Sequence, residues 1–217
     1  MSEILKRTFS VNKTQKNFSK VAWFYDYWGQ LTETKAINKA VSMSGLGENH
    51  NILDVGTGTG QLFEKLLNEN KKGLNYGIDL SPVMIAKAKG KFKSTVVRHF
   101  LSVGNTFDLP YKSKSFDYIF SSYVLDLLPE ERFDSVLNEF LRVLKDRGTG
   151  ILIAMKTGGK WYNKFWHTIA EYFPSLLTNC RPVELSDYLV SAGFAVTRKE
   201  TVVQNTFPSE IIMVKKL

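Results

Sequence analysis

Asn51-Ile52-Leu53-Asp54-Val55-Gly56-Thr57-Gly58-Thr59-Gly60 is the stretch that decides the fold. Its apolar first half reads as a buried strand, and its three glycines at alternate positions read as a tight loop at the strand's carboxyl end. Gln61 to Asn70 follows with Leu62, Phe63, Leu66 and Leu67 on one helical face. Glycines at such a turn let backbone approach a ligand that a side chain would displace. The dinucleotide fingerprint needs its third glycine three positions after the second, and Gln61 stands there instead; this spacing disfavours a nicotinamide or flavin ligand. No Gly-Lys-Ser or Gly-Lys-Thr follows, so a phosphate loop is disfavoured too. Asp54 adds an acceptor suited to a cationic or amino-bearing ligand.

Downstream, Leu74-Asn75-Tyr76-Gly77-Ile78-Asp79 restores the strand signal, and Ser81-Pro82 starts a helix carrying Met84, Ile85 and Ala88. Asp79 ends this second strand, where a carboxylate can accept hydrogen bonds from both hydroxyls of a ribose. The alternation continues with strands over 96–103 and 116–121, a helix from Arg132 to Leu144, and the apolar strand Ile151-Leu152-Ile153-Ala154-Met155. Strands separated by helices predict a largely parallel sheet covered on both faces. Near the end, a helix at 186–192 precedes strands at 194–203 and 211–214. The connection Gln204 to Ser209 is too short for a parallel crossover, so the two strands form an antiparallel hairpin at the sheet edge.

Upstream, residues 1–17 read as a polar, basic tail and 18–45 as a helical lid in which Gly29 separates two pieces and Tyr25, Tyr27 and Trp28 can cover the sheet's carboxyl end. A second departure from the strand-helix rhythm, 158–181, carries Trp161, Tyr162, Phe165, Trp166, Tyr172 and Phe173; it is the candidate acceptor-side insert, with Lys160, Lys164 and Arg181 at its rim. At 217 residues, one domain over 18–217 is expected. The 29 basic against 21 acidic residues give +8, which suits an acidic substrate or membrane edge and by itself selects neither these nor nucleic acid. One cysteine, Cys180, allows no internal disulfide, and no apolar stretch is long enough to span a bilayer; a cytoplasmic location is expected. Three dispersed histidines make a zinc site unexpected: His50 and His99 read as structural or surface groups, and His167, inside the aromatic insert, is the one placed to exchange a proton with a substrate.

The ordered set formed by 52–60, Gly77-Ile78-Asp79-Leu80-Ser81-Pro82-Val83-Met84, Gly104-Asn105-Thr106-Phe107-Asp108-Leu109-Pro110, 115–122 and Glu139-Phe140-Leu141-Arg142-Val143-Leu144-Lys145 resembles the class I S-adenosylmethionine-dependent methyltransferases. Within them it resembles the group acting on quinone precursors, small molecules and lipids. The resemblance implies an α/β, Rossmann-like, seven-stranded and mostly parallel sheet with helices on both faces and a C-terminal antiparallel hairpin strand. It implies S-adenosylmethionine as cofactor, its methionine portion near Asp54 and Gly56, its ribose and adenosine near the loop around Gly58 and Gly60, its ribose hydroxyls on Asp79, and Thr57 among the cofactor-binding residues. Leu80 and Met84 would pack near adenine, with Asn105 standing where the family usually has aspartate, Thr106 and Phe107 completing that end, and Ser121 and Ser122 at the boundary with the acceptor. Tyr25 is the tyrosine before the core that would approach the cofactor. The function implied is methyl transfer to a small or lipid-like acceptor, with peripheral membrane contact compatible and nucleic acid not expected. RNA or protein methylation and noncatalytic cofactor binding are the alternatives.

Overall fold

The computed structural model describes residues 29, 31–156, 168 and 181–216. The expected tail, most of the lid including Tyr25, His167 and nearly all of the 158–181 insert lie outside the described residues. A seven-stranded sheet forms the centre, with strands β1 (Asn51–Val55), β2 (Leu74–Asp79), β3 (His99–Val103), β4 (Phe116–Ser122), β5 (Leu144–Met155), β6 (Phe194–Gln204) and β7 (Phe207–Lys216). Their spatial order is β3-β2-β1-β4-β5-β7-β6. The first five strands are parallel, and β7 runs antiparallel to both β5 and β6. This is the expected mostly parallel sheet with a terminal hairpin.

The described α-helices are α1 (Thr34–Ser44), α2 (Gln61–Glu69), α3 (Pro82–Lys91), α4 (Phe133–Val143) and α5 (Ser186–Ser191). Alternation along the strands sorts side chains to two covered faces. Ile52, Phe120, Ile151 and Ile153 pack with Ile37, Ala40 and Leu66 on the side of α1 and α2. Leu53, Val55, Ile119, Leu152 and Ala154 pack with Val136, Leu137 and Phe140 of α4 on the other. A third cluster joins α2 to α3 through Phe63, Leu67, Ile85, Ala88 and Phe92. Ser81 caps α3 by accepting the Met84 N–H at 3.4 Å, with Pro82 in the first turn, as the sequence suggests.

Three boundaries differ from expectation. β5 begins at Leu144, not at Ile151, so helix α4 passes directly into a strand whose second to fourth residues, Lys145 to Arg147, are polar. The hairpin turn is only Asn205-Thr206, both at positive φ, where a six-residue connection is expected; the ladder consumes Gln204 and Phe207–Ser209. Gly29 is helical: its carbonyl accepts the Glu33 N–H at 2.8 Å, and the helix breaks at Glu33 rather than at the glycine.

Candidate functional site

The order reverses where β1 leads to β2 and β3 on one side and to β4 and β5 on the other. A crevice at the carboxyl ends of the strands is expected at such a switch point. Two adjoining cavities lie there, sharing Gly56, Gly58 and Ser122. The larger, about 790 Å³ with its mouth, is lined by Ile78, Asp79, Leu80, Met84, Asn105, Thr106, Phe107, Val124 and Leu128 among others. The smaller, about 340 Å³, is lined by Glu33, Asp54, Thr57, Thr59 and Gln61.

The glycine loop shapes the wall between them. Gly56 has φ +75°, and a Cβ there would lie 2.1 Å from Val124 Cγ2, so the loop can bend at this point only without a side chain. Gly60 also has positive φ, +87°, but a Cβ on it would meet the Phe92 ring at 2.6 Å. Its neighbourhood is the α2–α3 contact, and it is not among the residues lining either cavity.

Asp79 is fixed from both sides: Oδ2 accepts the Gly58 N–H at 2.9 Å and Oδ1 accepts the Ser81 N–H at 2.8 Å. Each oxygen keeps a lone pair for a ligand. Burial raises its pKa from the ordinary value, opposed by these two amides. Asp54 is fully buried, with Oδ2 accepting the Thr57 hydroxyl at 2.7 Å. Burial foremost, with the nearby Asp79 charge adding, pushes its pKa up to about 7, against the Thr57 hydrogen bond. Two further buried acids stand near. Burial and the Asp126 charge push Glu33 up to about 8. Burial pushes Asp126 up to about 7 despite the amide it accepts from Met155 at 2.6 Å and the Arg181 charge.

Among the described residues, four buried side-chain atoms have no hydrogen-bond partner: Asp54 Oδ1, Thr106 Oγ1, Ser122 Oγ and Asp126 Oδ1. The first three belong to residues that line the cavities. Orphaned buried polar atoms are rare and costly, so their concentration here marks a site built for a polar ligand. The donor set divides by place: carboxylates and small hydroxyls surround the smaller cavity, while the larger combines apolar walls with the Asn105 amide and Asp79. Asn105 Oδ1 accepts the Phe107 N–H at 3.1 Å, which turns its amide, and Arg132 lies over the Phe107 ring at 4.6 Å. A nucleoside carrying an amino-acid arm fits this division.

Of the expected cofactor residues, Gly56, Gly58, Asp79, Leu80, Met84, Asn105, Thr106 and Phe107 line the larger cavity. Asp54 and Thr57 line the smaller. Ser121 lines neither; it is buried, with the parity of Ile119, while Ser122 shares the parity of Phe120 and opens on both cavities. Tyr123 lines the larger cavity, and its hydroxyl lies 2.6 Å from Ser209 Oγ. His50 packs edge-on against Tyr118 and His99 against Phe63 and Phe92, away from both cavities. Sequence reasoning missed Glu33, which belongs to no motif; its place just before an amphipathic helix was the only signal.

Residues 52–148 match the family model described as a methyltransferase domain. The malonyl-[acyl-carrier protein] O-methyltransferase of Marinomonas sp. is 28% identical over 145 residues, covering 66% of this chain and 52% of the relative. The demethylmenaquinone methyltransferase of Listeria welshimeri is 29% identical over 142 residues, covering 63% and 59%. The chain spans 52% to 63% of the length of the first curated relatives it matches. Among solved structures, a chain of the Haloferax volcanii complex between the Trm112 methyltransferase activator and a methyltransferase superposes with TM-score 0.75 at 18% identity, covering 93% of this chain and 96% of that one. The cyclase SpnF superposes with TM-score 0.67 at 20% identity, covering 84% and 80%. Such structural likeness shows the fold alone.

Proposed function

We propose that the chain, whose residues 52–148 match the methyltransferase-domain family model, is a class I S-adenosylmethionine-dependent methyltransferase that moves a methyl group from S-adenosylmethionine to a small or lipid-like acceptor. The observation that carries this reading is the set of orphaned atoms on Asp54, Thr106 and Ser122 around two joined cavities beside the glycine loop. When bound, S-adenosylmethionine supplies an electrophilic methyl group on a sulfonium. Asp79, held by two amides, takes the ribose hydroxyls with its remaining lone pairs. Leu80, Met84 and Phe107 flank the adenine, and Asn105 and Thr106 offer polar groups at its edge. Asp54 and Thr57 face the amino-acid arm. Holding an acceptor in line with the methyl supplies much of the acceleration, so no acid-base triad is required.

The acceptor class is supported by relatives named for malonyl-acyl-carrier-protein and for demethylmenaquinone methylation. The acceptor itself is chosen by residues around the matched core, including the 158–181 segment. On that side the reading assigns Tyr25 to the cofactor's arm and His167 to proton exchange with the acceptor. Approach to an anionic membrane edge fits the +8 charge, and salt-sensitive sedimentation with phosphatidylserine vesicles tests it.

The deciding experiment incubates the purified chain with methyl-labelled S-adenosylmethionine and separated lipid, metabolite, RNA and protein pools. Label in the lipid or metabolite pool is expected. Label only in RNA, or in protein other than as an acyl group borne on a carrier protein, overturns the acceptor class, and cofactor binding without turnover favours a noncatalytic role. Asp79→Ala is expected to weaken cofactor binding by about 10- to 100-fold, the value of a charged hydrogen bond or two.

A further inference from the structure

The smaller cavity has two acidic walls from different parts of the chain. Asp54 comes from the end of β1. Glu33 comes from the helical break before α1, some twenty residues upstream of the glycine loop, and is only 6% exposed. Glu33 is held there by backbone: its N–H donates to Gly29 at 2.8 Å and its carbonyl accepts from Ile37 at 2.9 Å, so the side chain is carried on a nearly continuous helical ladder. Asp54 lines the same cavity, its Oδ1 buried with no partner while Oδ2 is occupied by Thr57. Each carboxyl also feels a second acid of the same sign, Glu33 that of Asp126 and Asp54 that of Asp79. A cation with several N–H donors entering such a volume would compensate both carboxylates in their ionised form.

We propose that Glu33 and Asp54 together form the binding site for the α-ammonium group of the cofactor's amino-acid arm, making Glu33 a cofactor-binding residue delivered by the segment before α1. The inference rests on the methyltransferase reading and adds to it the second carboxylate. An ammonium has three N–H donors, so it can satisfy Asp54 Oδ1 and a Glu33 oxygen at once. Ser122 Oγ, orphaned at the junction of the two cavities, lies on the way from the nucleoside to this pocket. A ligand lacking the amino-acid arm would leave both carboxylates as they stand in the free protein, where burial keeps them protonated to unusually high pH.

The test compares two ligands on the full chain by calorimetry: S-adenosylhomocysteine, which has the ammonium, and 5′-methylthioadenosine, which shares the nucleoside and lacks it. Glu33→Gln reproduces the neutral acid in shape, so the free protein should keep its thermal transition. The variant is expected to bind S-adenosylhomocysteine about 10- to 100-fold more weakly while its Kd for 5′-methylthioadenosine stays within about twofold of wild type. Equal loss for both ligands means that Glu33 acts through the fold and overturns the inference. Unchanged affinity for both also overturns it, including when turnover falls, because Glu33 would then serve the acceptor. Failure of the wild-type chain to bind either ligand removes the methyltransferase reading itself, and this inference with it.

Discussion

Asp54 is a carboxyl group held where its ionised form is disfavoured, and that has a measurable cost. Its pKa moves from an ordinary 3.8 to about 7. Glu33 moves from 4.5 to about 8, and Asp126 from 3.8 to about 7. Over that interval the unfolded chain has released protons that the folded chain still holds. The contribution to stability is therefore full below about pH 4 and is lost as pH rises through 7 to 8. The melting temperature of the ligand-free protein should fall between pH 5 and pH 8, as followed by circular dichroism. Asp54→Asn should flatten that slope and recover up to about 4 kcal/mol at pH 8, since about three pKa units at 1.36 kcal/mol each are removed. An unchanged slope in the variant would assign the loss to other groups. Asp54 and Asp79 were legible in the sequence because each ends a strand beside a glycine loop or a proline-started helix. Glu33 and the choice between Ser121 and Ser122 were not. The first depends on which way one helical break turns, and the second on strand parity that two adjacent serines cannot reveal.

At the scale of elements, two glycines of one loop carry different loads. Gly56→Ala drives a Cβ to 2.1 Å from Val124, on the loop that follows β4 and lines the larger cavity. Gly60→Ala drives one to 2.6 Å from Phe92, in the contact between α2 and α3. Both should lower stability by about 1–3 kcal/mol. Only Gly56→Ala should also weaken 5′-methylthioadenosine binding in the fraction that remains folded. Equal loss of binding in the two variants would contradict this division. Arg181 performs a second tie. It is buried, donates to the Leu128 carbonyl at 2.8 Å and to Glu130 at 3.1 Å, and shares Glu130 with the Tyr188 hydroxyl at 2.7 Å. Arg181→Met strands the acids beside it and should cost roughly 3–5 kcal/mol in urea unfolding, more at pH 8 than at pH 6 because Asp126 ionises in between. Read from sequence, Arg181 was a rim residue of the insert; in the fold it is buried and tied to Leu128 and Glu130. The β5 boundary was hidden for a related reason, since Lys145 to Arg147 look like a loop until the pairing of Leu144 with Phe116 on β4 is known.

Across the whole molecule, the order in which strands appear in the chain differs from their order in the sheet. β7 lies between β5 and β6, although it follows both in sequence. During synthesis the ribosome therefore delivers β5, with its run Ile151-Leu152-Ile153-Ala154-Met155, well before the strand that covers its outer edge, whose last paired residue is Lys216. The parallel half bearing the glycine loop can assemble early, but it waits with one apolar edge open, a template for pairing with other chains. A chain stopped at residue 206 should partition to the insoluble fraction and bind a holdase chaperone, whereas one carried through 216 should not. The glycine loop and its cavities are thus encoded early in translation, and whether the chain that carries them stays soluble turns on the ten residues of β7.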